Sequence, residues 1–88
     1  MHAVVVKVTI HDFERAQALL HEEVVPRVSS APGFVAGYWM RPQEGQGLST
    51  IVFESEEAAR AAAGMIRSPD DNVVTIESAE VREVLAHA

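Results

Sequence analysis

The chain contains no cysteine, which excludes disulfides, thiolate metal sites and a cysteine nucleophile. It has one tryptophan, one tyrosine and three phenylalanines, so any aromatic recognition rests on very few positions. Basic residues are scarce: seven Lys and Arg against thirteen Asp and Glu give a formal charge of −6 and a pI of about 5.0. That balance repels a phosphate backbone and argues against a nucleic-acid partner. Long apolar runs are missing too. The opening Met1-His2-Ala3-Val4-Val5-Val6-Lys7 is too short for the core of a signal peptide, with no basic stretch ahead of it. No run approaches the roughly 20 residues that span a bilayer. The expectation is a soluble, cytoplasmic protein with no membrane partner. A glycine-rich phosphate loop, a nucleophile elbow, a zinc-type HExxH and paired carboxylates at a telling spacing are all absent.

What is present fits one domain, residues 1–88. A chain this short buries only roughly 60–65% of its unfolded surface, so its core is thin and a partner chain is a usual remedy. Val4 to Ile10 is apolar or β-branched on both parities. Val4, Val6, Val8 and Ile10 form one face, and Val5 and Thr9 flank Lys7 on the other. A strand with a single buried face would alternate, so this one predicts cover on both sides. Asp12 is placed to cap a helix over Phe13 to about Ser30, whose apolar stripe is Phe13, Ala16, Leu20, Val24 and Val28. Pro26 should kink that helix or end its regular part near Val25. Phe34–Arg41 and Leu48–Glu54 read as two strands of a hairpin across Pro42-Gln43-Glu44-Gly45-Gln46-Gly47. Ser55 caps an alanine-rich helix over Glu56–Arg67, and Val73 to about His87 reads as a long strand with a break near Ser78-Ala79. The order βαββαβ predicts a ferredoxin-like α+β sandwich, with a four-stranded antiparallel sheet and both helices on one face. The opposite face then needs a second sheet, which a symmetric homodimer supplies.

The segments VVPRV, APGFVAGYW, VFESEEAARAA and VREV, in that order and spread over nearly the whole chain, resemble the antibiotic-biosynthesis-monooxygenase-like group of the dimeric α/β-barrel superfamily. The resemblance implies a dimeric α/β barrel. It also implies a pocket between helices and sheet, a polar group for a substrate oxygen, and a Trp or Tyr packing a ring. Members of the group include cofactor-free monooxygenases and haem-degrading enzymes. The haem-degrading branch uses an Asn on the first strand, a buried Trp and a His on the second helix. Here the middle of the first strand holds Lys7 and the second helix has no His, so haem degradation is not expected, and no cofactor is.

Candidate catalytic residues are His21, Trp39 and Tyr38; candidate ligand-binding residues are Gln17, Leu20 and Arg41. His21 sits at the border of the apolar stripe, either as a general base at a cleft mouth or as a solvated flank residue. Gln17 lies inside the stripe, where a buried amide must find a ligand or a backbone partner. Tyr38 and Trp39 are adjacent on a strand and must face opposite ways, one toward the cleft and one toward the dimer core. Arg41 shares the parity of Trp39 and either binds an anionic group or caps the strand end in water. His2 and His87 lie at strand ends that the fold brings together, but two imidazoles make a poor metal site and none is expected. His11 helps the turn before the first helix. Ser49 and Ser55 have no His/Asp arrangement beside them. Two functions follow as expectations: a protein that binds or oxidises a small hydrophobic or aromatic molecule, and a non-catalytic dimerisation module whose alanine-rich helix packs the cleft shut.

Overall fold

The computed structural model describes residues 1–88. The elements are β1 (His2–Ile10), α1 (Phe13–Leu19), a π-helical turn (Leu20–Val24), α2 (Val25–Ser29), β2 (Phe34–Met40), β3 (Gln46–Phe53), α3 (Glu56–Gly64) and β4 (Val74–Glu83). α1, the π turn and α2 run on as one helix. The strands form one antiparallel sheet in the order β2-β3-β1-β4, and the helices cover one side of it. This is the expected ferredoxin-like α+β sandwich. No helix is long and apolar enough to cross a membrane.

Both helix starts follow from local chemistry. Asp12 accepts a hydrogen bond from the Arg15 amide, and Ser55 accepts one from the Ala58 amide, each satisfying an otherwise unpaired N–H. Arg60 donates to Glu56 at 2.8 Å along the first turns of α3. That hydrogen bond, reinforced by the guanidinium charge, holds the Glu56 carboxyl below its ordinary range. Any support from the pair is therefore present near neutral pH and lost as acid protonates the carboxylate.

Two features differ from expectation, and a third settles between two alternatives. Pro26 interrupts the regular bonding of the first helix near Val25, as expected, without ending the helix. The Val25 amide donates to the Leu20 carbonyl, five residues back rather than four. This slip opens the helix where the proline ring would otherwise meet the carbonyl four residues earlier. α3 stops at Gly64, not Arg67; the Arg67 side chain folds back and donates to the Gly64 and Ile66 carbonyls. β4 is not broken at Ser78-Ala79. It carries a bulge, because Lys7 pairs with Ser78 while Val8 pairs with Ile76, leaving Glu77 over, and the strand ends at Glu83.

The core lies between sheet and helices, where Val4, Val6, Ile51, Phe53 and Ala59 pack together, with Phe34 edge-on to Phe53 at 6.3 Å. Only eight residues are buried, so this chain by itself has the thin core its length predicts. Gly33 makes the turn from α2 into β2. Its φ of 79° and a Cβ that would stand 2.9 Å from that of Ala58 admit glycine and little else. On the far side of the sheet, the pairing sets Ala36 and Tyr38 beside Val52 and Thr50, and these beside Ala3 and Val5. Nothing in this chain covers that face, and Tyr38 is 60% exposed on it. Glu80 and Arg82 form an ion pair along its β4 edge.

Candidate functional site

The helices do not close fully on the sheet. A cavity of about 450 Å³ lies between them, floored by Val4, Val6 and Val8 of β1 and Ser49 and Ile51 of β3. Its roof is Ala16, Leu20 and Val24 from the first helix, Ala62 from α3, and Met65 and Ile66 just after it. The π turn matters here. Leu20 and Val24 stand at its two ends and both reach the cavity. The alanines of α3 bring its backbone near the sheet, yet the cleft stays open, because Ala62 leaves unfilled the volume a larger side chain would occupy. A shallower depression lies between α3 and β4, lined by Arg60, Gly64, Glu80 and Arg82; it is wide open and offers little apolar surface.

Trp39 is the aromatic wall. It pairs with Ser49 across β2 and β3, and both side chains face the cavity. The outer edge of the indole's six-membered ring lies against Gly37, where a Cβ would come within 2.7 Å of it, so the missing side chain at Gly37 makes room for it. Ser49 is 8% exposed and is the one buried polar residue of the chain. Trp39 and Ser49 are paired neighbours on adjacent strands, and both residues line the cavity. A hydroxyl and an indole N–H at neighbouring positions of an otherwise apolar lining are the polar groups available there to a ligand atom or to water. At the rim stand Gln17 and Arg41. The Arg41 guanidinium lies 4.0 Å over the ring of Phe13, at the N-terminal end of α1.

The sequence-predicted residues therefore divide. Gln17, Leu20, Trp39 and Arg41 come together around one cavity. Tyr38 lies on the opposite, uncovered face of the sheet, and His21 is exposed to solvent outside the cavity lining. Lys7 also points to the uncovered face, so the cavity-facing positions of β1 are all aliphatic. His11 bonds to Thr75 at 2.7 Å beside the turn into α1. His2 is partly buried, its Nδ1 without a partner, and pairs in the sheet with Phe53 and Glu83. Ser49 was missed by sequence reasoning, which weighed it only as a nucleophile. The signal was there: Ser49, Ile51 and Phe53 share one parity, and a lone hydroxyl in a buried apolar row asks for a partner.

The fold of the single chain is the one seen in the antibiotic-biosynthesis-monooxygenase-like group of the dimeric α/β-barrel superfamily, which the sequence resembles. Two solved structures carry the likeness. HapK from Hahella chejuensis superimposes with a TM-score of 0.70 at 15% identity, over 100% of this chain and 96% of HapK. The heme-degrader MhuD from Mycobacterium tuberculosis, solved with two hemes bound in its active site, superimposes with a TM-score of 0.52 at 26% identity, over 97% of this chain and 98% of MhuD. No protein-family model matches the sequence, and no curated protein matches it.

Proposed function

We propose that the chain works as a homodimer that takes a small hydrophobic, aromatic molecule into the helix–sheet cleft and oxidises it without a cofactor. The observation that carries this is the cavity itself: about 450 Å³, mostly apolar, with Ser49 and Trp39 side by side in its lining. Sites for small molecules have this size and this mixture of apolar wall and few polar groups. In this reading the indole stacks on the ligand ring, Ser49 and the indole N–H hold a ring oxygen, Leu20 packs its edge and Gln17 closes the rim. The same cavity speaks against the alternative of a non-catalytic module packed shut by its alanine-rich helix.

Haem fits the lining poorly. No His, Cys or Tyr faces the cavity to hold an iron, β1 presents only aliphatic side chains to it, and α3 has no His. A haem titration is expected to leave the Soret band unchanged.

The test is oxygen uptake with quinol-type aromatics, together with calorimetric binding of the same compounds. We expect binding in the micromolar range. Trp39→Phe and Ser49→Val should each weaken binding and slow uptake by about tenfold, the scale of one lost hydrogen bond to a buried polar group. Tyr38→Phe and His21→Ala should leave both within a factor of two. Binding without oxygen consumption would reduce the protein to a carrier, and equal losses in Tyr38→Phe or His21→Ala would move the site elsewhere.

A further inference from the structure

We infer that the molecule this cleft accepts is an anion: an aromatic body carrying a carboxylate or a comparably charged group, held at the rim by Arg41. The inference rests on the cleft being the ligand site and adds the chemical class of its occupant. Its basis is a charge distribution opposite to that of the chain. The protein has thirteen acidic and seven basic residues, yet no Asp or Glu lines the cavity, and Arg27, Arg41 and Arg67 do. Random placement of the charges would put about twice as many acids as bases around it.

The three arginines are not equivalent. Arg67 is occupied by the Gly64 and Ile66 carbonyls that end α3. Arg27 lies on α2, toward the opposite end of the first helix from Phe13. Arg41 is the one held ready. Like Arg27 it forms no ion pair, and of the acids at that end Asp12 caps α1 and Asp70 pairs with Arg15 at 3.3 Å, while Glu14 and Glu44 form no ion pair with it. The Phe13 ring beneath the guanidinium holds the charge at the cleft mouth, and a cation over a ring face keeps its N–H donors for another acceptor. A planar fork of donors beside an apolar, tryptophan-walled cavity is the arrangement that binds a carboxylate attached to a ring.

The probes are a matched pair, anilinonaphthalene sulfonate and its uncharged analogue phenylnaphthylamine, which share an aromatic skeleton. Trp39 is the only tryptophan, so quenching of its emission reports the cleft. We expect the parent to bind both dyes, the sulfonate at least about tenfold more tightly, as one charge-assisted hydrogen bond contributes. Arg41→Gln should bring the two affinities together, while Lys7→Gln, which removes the same charge from the other face of the sheet, should preserve the preference. Equal affinities in the parent, or a preference that survives Arg41→Gln, would overturn the anion inference and leave the cleft as a neutral-ligand site. Failure of both dyes to quench Trp39 would overturn the cleft reading and this inference with it.

Discussion

Tyr38→Asp is expected to turn a dimer into a monomer without unfolding it. In the single chain Tyr38 is 60% exposed on the uncovered sheet face, so a carboxylate there costs the monomer almost nothing. Between two facing sheets the same carboxylate would be desolvated and unpaired, next to Val52, Val5 and Thr50 of its own sheet and a second apolar sheet opposite. A buried aromatic in an interface is a common hot spot, and its replacement by a charge should raise the dissociation constant on the order of a hundredfold or more. Light scattering at micromolar concentration should give twice 9.6 kDa for the parent and 9.6 kDa for the variant, with superimposable far-ultraviolet circular dichroism. A parent that scatters as a 9.6 kDa species would remove the dimer from this account.

Phe53→Ala should have the largest effect on stability. Phe53 is 1% exposed, faces the helices from β3, and meets Phe34 edge-on. Removing a buried phenylalanine ring costs about 3–5 kcal/mol, partly through the cavity left behind. A domain of this size holds on the order of 5–10 kcal/mol in all. The midpoint of thermal unfolding should therefore fall by roughly 15–35 °C. Phe13→Ala, at the cleft mouth and 37% exposed, should lower it by only a few degrees on the same scale. Comparable shifts for the two would mean that the core is not where the packing puts it.

Much of this fold was legible because its signals are local. Asp12 and Ser55 announce helix starts by side-chain chemistry that acts within three residues. The doubly apolar β1 read as a strand with cover on both faces; it lies between β3 and β4, with the helices over one of those faces. What the sequence concealed were shifts of one residue that reverse faces. By simple alternation Phe34 and Trp39 should lie on opposite sides of β2, yet both join the core side, because the register slips between Phe34 and Ala36. The bulge at Glu77 does the same in β4, letting Ile76 and Val81 both join the core. The π turn is the helical counterpart: it carries the helix past Pro26 with Leu20 and Val24 in the cleft and His21 in solvent. Each slip is decided by pairing or packing with a distant segment, so parity counted along one element could not choose between Tyr38 and Trp39. The cavity volume was concealed for the same reason. Alanines in α3 permit close approach, and only the packed helices reveal that space remains beneath Ala62 and Met65.

The central claim is that the space between helices and sheet is where a ligand goes. Amide chemical-shift mapping with isotope-labelled protein and unlabelled phenylnaphthylamine tests it most directly. The account predicts perturbations at Leu20, Trp39, Ser49, Ala62 and Met65, together with the Trp39 indole N–H, and none at Val5, Lys7, Tyr38 or His21. Perturbations centred on Val5, Lys7 and Tyr38, with Trp39 and Ser49 unmoved, would contradict it.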